Sequence, residues 1–341
     1  MEKERVNWVD VSRFLGMFAI YLGHLGASNV GVSVTYVFYW HVALFFLLSG
    51  CMEAYSKDTK IGKVVLKKTK SILVPFVVFA FSDIFVECIK IGLDITVMKQ
   101  MLFEVACGVV RNTFVQGISL WFLTCLFVMQ IMFAIIRKIK NKVLILVVCT
   151  VIYTVYKLYI LPCFAGGATD YFNIGSALHY VIYYAIGYVA FPGIMKLFEL
   201  NTRLKKMLFM FSGIVSGVYA SLLFWGKDLF AKLNYVPVVT LYVPIFRALV
   251  CIWFVFIVAK MLENVALFRA IGRDSLYLCG SERIIRLLLI SFLSFLGISI
   301  NISTPLVAYV YAFILVFLAY KILVPLFKKI LYWINSFLTA F

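Results

Sequence analysis

Residues 8–28 read WVDVSRFLGMFAIYLGHLGAS, an apolar run interrupted by Asp10, Arg13 and His24. Apolar residues dominate a length that crosses a hydrocarbon core as a helix. Eleven residues separate Arg13 from His24, about three helical turns, so the two share one stripe about 16 Å apart along the axis. Asp10 falls about 40° off the same stripe. An acid, a base and an imidazole on one face of a lipid-length helix are costly unless they look into protein or a wet cavity. Such residues therefore mark a functional site.

The rest of the chain repeats the apolar theme. Hydrophobic residues make up 64% of 341, charged residues only 14%, and the mean hydropathy is +1.03. This composition excludes an ordinary soluble domain. About ten segments have spanning length: 8–28, 36–55, 72–93, 118–136, 143–161, 172–192, 207–225, 236–259, 275–295 and 305–327. In lipid each backbone must satisfy its own hydrogen bonds, so the fold class is an all-α integral membrane protein of about ten transmembrane helices. The longest connection, roughly 94–117, is too short for a separate soluble domain, and 1–341 reads as a single transmembrane domain.

Charge orients the helices. Six lysines lie within 56–70, four basic residues within 137–142 and four within 196–206, with Lys3 and Arg5 at the start and three more near the end. The alternate connections hold only Lys99, Arg111, Lys227 and Lys232. The positive-inside rule places both termini in the cytoplasm, which requires an even number of spans. The net charge of +17 is thus mainly a topology signal directed at membrane lipids. No loop combines a long basic stripe with stacking aromatics, so nucleic acid is not an expected partner.

Six of the eight cysteines sit inside predicted helices and no CxxC occurs, which describes buried thiols rather than a disulfide framework. Small residues at Gly26, Ala27 and Ser28 imitate a signal-peptide cleavage site. Asp10, Arg13 and nine further spans favour a retained first helix. His24, His41 and His179 all map to the extracytoplasmic side of this topology. None has the i, i+4 spacing of a helical ligand pair and no HExxH occurs, so no metal is expected. A second polar cluster, Asp274, Ser275, Glu282, Arg283 and Arg286, lies on the ninth span, with Glu282 and Arg286 at i, i+4. It is either a network locking helices together or a substrate site, and Arg247 is placed to join it. Asp83, Glu87 and Lys90 share one face of the third span, as a pairing set or a cavity wall.

The order of motifs resembles the acyltransferase-3 family, integral membrane acyltransferases that O-acetylate bacterial polysaccharides and related surface molecules. The match begins at Arg5-Val-Asn-Trp-Val-Asp10-Val-Ser-Arg13 and Tyr21-Leu-Gly-His24. It continues in Phe38-Tyr-Trp-His41-Val-Ala-Leu-Phe-Phe-Leu-Leu-Ser49-Gly50, in the lysine run to Lys70-Ser-Ile-Leu-Val-Pro75, in Leu120-Trp121-Phe122-Leu123 and in Ile271-Gly272-Arg273-Asp274-Ser275-Leu276-Tyr277. Where many relatives carry a His seven residues beyond that Ser, this chain has Glu282.

The resemblance implies a membrane-embedded O-acyltransferase in the cell membrane, of a bacterium by the family's usual setting. It moves an acetyl group from acetyl-CoA, a co-substrate and not a metal cofactor, to a hydroxyl of a cell-surface glycan or related acceptor. His24 is implied as the base that readies the acceptor hydroxyl, with Asp10 beside it in the catalytic set. Arg13, Lys67 and Lys70 are implied as the acyl-CoA contacts, lysine losing the bidentate phosphate recognition that arginine offers. His41, Glu282 and Arg286 are candidates for the acceptor. The alternative class is a transporter or flippase of a glycan or lipid-linked substrate, since intramembrane charges serve substrate paths as well. Matched broken helices, the usual mark of inverted transporter repeats, are not evident.

Overall fold

The computed structural model describes residues 5–25, 31–56, 60–91, 94–108, 119–165, 169–231 and 237–340. Lys3, Gly26 to Ser28, Lys57, Arg111, Lys232 and the side chain of Lys90 lie outside the described residues. Among the described residues every regular element is helical. The main helices are α1 (Asn7–Gly23), α2 (His41–Glu53), α3 (Ile61–Lys68), α4 (Val74–Ile91), α5 (Ile95–Ala106), α6 (Trp121–Ile136), α7 (Lys142–Val155), α8 (Ile174–Phe198), α9 (Arg203–Phe224), α10 (Pro237–Met261), α11 (Ala266–Arg273), α12 (Ser275–Phe295), α13 (Pro305–Leu318) and α14 (Val324–Ala340).

Among the described residues, eight helical stretches are long and apolar enough to cross a membrane: Val32–Glu53, Ile61–Ile89, Trp121–Ile139, Lys142–Phe164, Tyr171–Phe198, Arg203–Phe224, Val239–Met261 and Pro305–Phe337. The two remaining segments read as spans are α1, which carries Asp10 and Arg13, and α12, which carries Glu282, Arg283 and Arg286. Three boundaries differ from the sequence reading. The lysine run is no loop: α3 alternates Lys with Ile61, Val64, Val65 and Leu66, buries Val64, and continues through a wide turn at Thr69–Leu73 into α4. The expected 94–117 loop contains α5, whose first turn is capped by Asp94 accepting from Thr96 N at 2.8 Å and Val97 N at 3.3 Å. The last span runs 33 residues, Pro305–Phe337, about 50 Å at 1.5 Å per residue. It passes through a wide turn at Ala319–Leu323 and continues beyond Pro325, which takes an early position of α14 where a helix tolerates proline.

The helices form two compact units, Met1–Tyr55 with Tyr183–Ser275 and Asn301–Val316, and Ser56–Ile182 with Leu276–Ile300 and Phe317–Phe341. In the first, α1 packs against α2, α10 and α11, and α9 against α10. Trp8 is 2% exposed and meets Phe198 and Phe256 at ring-centroid distances of 5.1 and 4.9 Å. Glycines set how closely these helices approach. A Cβ added to Gly50 would overlap the Tyr184 carbonyl, one on Gly187 the Leu47 carbonyl, and one on Gly272 the Asp10 carbonyl. In the second unit α3 packs on α6 and α4 on α5. The Phe79 ring, edge-on to Phe327 at 4.9 Å, fills the place of a side chain at Gly280.

Backbone against backbone cannot relax as a flexible side chain can, so overpacking here is costly. Gly50→Ala, Gly187→Ala and Gly272→Ala are each expected to destabilise the protein by about 1–3 kcal/mol. Gly193→Ala, where nothing lies within reach of the new methyl, should not. Thermal unfolding of the four variants in nanodiscs checks the order.

Candidate functional site

The first turns of α1 build a cationic cluster on one buried carboxylate. Asp10 is 1% exposed. Its Oδ2 accepts from Arg5 Nε at 2.8 Å and Arg273 Nε at 3.4 Å, and its Oδ1 from Arg13 Nη1 at 3.2 Å. Arg13 is one turn further along α1. Arg273 ends α11, brought within reach because Gly272 lets α11 close on the Asp10 backbone. Three guanidiniums on one carboxylate leave a local excess of two positive charges. The side chains of Arg5, Arg13 and Arg273 are 55%, 26% and 45% exposed. Each guanidinium thus gives one N–H to the carboxylate while its side chain stays partly exposed, an arrangement suited to an anion bearing several charges.

The other end of α1 carries the histidines. His24 closes the helix as its C-cap, its N–H donating to Ile20 O at 3.0 Å. The following short turns, Val32–Thr35 and Tyr36–Tyr39, fold back over this end, so that a Cβ on Gly23 would touch Phe38 and Val37. His41, the first residue of α2, is thereby set near enough to His24 for their charges to interact. It is 4% exposed, and its Nδ1 lies 2.7 Å from the Val37 carbonyl. A carbonyl only accepts, so Nδ1 carries the proton and Nε2 is the acceptor of the neutral ring. Phe38 stands edge-on to the same imidazole at 5.2 Å.

The structure thus brings Asp10 together with Arg13, and His24 together with His41, but it separates the two groups. Fourteen residues of helix put Asp10 about 21 Å from His24, so no hydrogen bond joins them. Arg5 and Arg273, quoted in the sequence motifs without a role, complete the cluster. Their signal was their place in Arg5-Val-Asn-Trp and Gly272-Arg273-Asp274-Ser275. Arg247 does not join the ninth-span charges: it forms an ion pair with Asp228 at 2.5 Å.

In the second unit α12 and α4 face each other with their charges. Arg283 pairs with Glu87, Glu282 Oε1 lies 3.8 Å from Arg286 Nε, and Asp83, 2% exposed, lies within the field of all four. Glu282, the departure from the family's late His, is itself 2% exposed and built into this network. Lys67 lies on α3 and Lys70 in the wide turn that follows it. His179 sits among the rings of Tyr153, Tyr156 and Tyr180, at 5.4, 5.7 and 4.7 Å.

These placements fall where a family model also matches. The model described as an acyltransferase domain covers residues 6–324. The chain belongs to the acyltransferase-3 family. Comparison with curated proteins and with solved structures returns no match. Membership makes this a multi-pass membrane acyltransferase. The match takes in Asp10, Arg13, His24, His41 and the Gly272–Ser275 stretch, together with Lys67, Lys70, Glu282 and Arg286.

Removing the carboxylate tests what holds the cluster. Asp10→Asn leaves three guanidiniums around a neutral amide and is expected to cost about 3 kcal/mol. Arg5→Ala, at the exposed edge, should cost under about 1 kcal/mol. Thermal inactivation in detergent compares the two. Equal losses would place the burden on helix packing instead of charge.

Proposed function

We propose that this protein is a membrane O-acyltransferase that uses acetyl-CoA on one side of the bilayer to acylate a hydroxyl presented from the other. The observation that carries this reading is the division of labour along α1. A multiply cationic cluster at its first turns and a histidine pair at its last are separated by about 16 Å between Arg13 and His24. The charge bias of the loops puts the arginines on the cytoplasmic side, where acyl-CoA is made, and the histidines on the other.

In this mechanism Arg13, with Arg5 and Arg273, binds the phosphates of the donor, and Asp10 is a positioning residue that fixes the three guanidiniums. The family resemblance assigns Lys67 and Lys70 to the same ligand. The pantetheine arm carries the thioester along the protein toward His24. The acceptor oxygen loses its proton to the His24 imidazole as it attacks the thioester carbonyl. The tetrahedral centre then collapses, the C–S bond breaks and CoA leaves as the thiol, taking up a proton. An imidazole is neutral and able to accept a proton over the physiological range. His41, whose Nδ1–H is tied to Val37 O, holds the neighbouring ring position and keeps Nε2 as an acceptor toward its surroundings. Favoured acceptors are hydroxyls of cell-surface glycans, in a bacterial plasma membrane.

Release of free CoA from acetyl-CoA by purified protein in nanodiscs, with native membrane extract as acceptor, tests the reading. His24→Ala is expected to lower turnover by on the order of 10²–10⁴-fold while the protein remains inserted. Arg13→Ala is expected to raise the KM for acetyl-CoA with a smaller effect on kcat, because it removes binding rather than chemistry. Wild-type turnover in His24→Ala removes that residue from the mechanism. Substrate flux without donor consumption would favour a transporter.

A further inference from the structure

We infer that the cavity enclosed by α1, α9 and α10 is a site for one hydrocarbon chain of a membrane phospholipid. The chain enters sideways from the bilayer and lies against the face of α1 opposite Arg13 and His24. This site is separate from acyl transfer and does not depend on that reading.

The cavity has a volume of about 480 Å³, within the range of pockets that hold small ligands. Its wall on α1 is Leu15, Phe18, Ala19 and Leu22, spaced i, i+3, i+4 and i+7 and so forming one stripe. At about 100° per residue this stripe lies roughly 180° around the helix from Arg13 and His24. A donor that follows the polar stripe therefore does not pass through this space. The two tyrosine hydroxyls of the lining are already committed. Tyr309 Oη donates to Ser33 O at 3.0 Å, and the Tyr36 hydroxyl is hydrogen-bonded to Tyr309. Tyr309 has spent its one proton on Ser33, so Tyr36 is the donor between them. The rest of the lining is mainly aliphatic and aromatic. A space with such walls stays dry and accepts apolar molecules.

The surroundings identify the occupant. A groove of about 710 Å³ runs along α9 and α10 and shares Ser221, Trp225, Phe254 and Val258 with the cavity. The groove lies on the exposed apolar face of two membrane-spanning stretches. Met210 and Ile214 on α9 are 64% and 63% exposed, and Met261 on α10 is 72% exposed. In a multi-pass protein this face is bathed in lipid chains, so the cavity is continuous with the lipid surface. Lipid coating the outside of α9 and α10 is ordinary solvation. A chain that reaches Leu15 and Phe18 has passed between those helices to α1.

Photocrosslinking of the full-length protein in nanodiscs tests this. The probe is phosphatidylglycerol carrying a diazirine midway along one chain, diluted into unlabelled phosphatidylglycerol, with adducts located by peptide mass spectrometry. We expect adducts on Leu15 or Phe18 of α1 and on Cys251 of α10, in addition to those on the groove. Ser221 is exposed and lines both spaces, so Ser221→Trp obstructs the way in without loading the core. It should lower labelling of α1 about tenfold, the effect of a loss of about 1.4 kcal/mol in binding, and leave labelling of Met210 and Ile214 unchanged. Ser221→Ala should match wild type. Wild-type adducts confined to the groove, with none on α1, overturn the site, and this holds even where Ser221→Trp fails to fold. Equal labelling of α1 in folded Ser221→Trp and wild type overturns entry from the groove. Labelling of Leu15 or Phe18 by an acyl-CoA with a diazirine in its acyl chain, but not by the phospholipid, overturns lipid as the occupant.

Discussion

A carboxylate with almost no exposure, Asp10, is the point on which the first unit is organised. It lies one turn from Arg13, accepts from Arg5 before α1 and from Arg273 at the end of α11, and its own backbone is the surface against which Gly272 closes. Helix packing and charge are therefore the same device at this place. Without the glycine α11 would stand off, and Arg273 would lose its anion. Without the anion three like charges would stand side by side, Arg13 mostly buried and Arg5 and Arg273 about half exposed, with nothing between them to offset their repulsion. The result is a surplus of positive charge at this end of α1.

The far end of the same helix is organised by a different economy. Nothing there is charged by necessity. His24 ends α1, a compact double turn folds the chain back, and His41 begins α2 with its Nδ1 committed to Val37 O. A backbone carbonyl orients an imidazole and sets its tautomer without adding a charge that could compete with a substrate. The aromatic residues of the double turn, Phe38 and Tyr39, stay at the surface while His41 is buried. The guanidiniums and the imidazoles are thus kept at opposite ends of one helix.

Glu282 illustrates how a departure from a family pattern is absorbed. Where the family resemblance leads one to expect an imidazole, this chain has a carboxylate near Arg286, in the field of Asp83 and alongside the Glu87–Arg283 pair. A lone buried carboxylate would be costly, and the two arginines one and four residues later on α12 offset that cost. The second unit therefore accommodates the substitution through charge pairing.

Helicity, membrane residence and the polar stripe of α1 were legible in the residues alone, because each depends on local periodicity and on the cost of unpaired backbone in lipid. The alignment of Arg13 with His24 needed only the helical repeat. The helical form of the lysine run was not legible, since its six lysines outweigh the few apolar residues that α3 uses to pack. Partner choice was not legible either. Asp10 and Arg273 are 263 residues apart in the chain and Glu87 and Arg283 are 196 apart, and many other acids and bases stood as candidates. Arg247 could be assigned to the wrong cluster for the same reason. Sequence determined which residues must leave the lipid. Only the tertiary structure decided which of them meet, because a charge in a low-dielectric interior is satisfied by whatever neighbour close helix packing brings within a few ångströms.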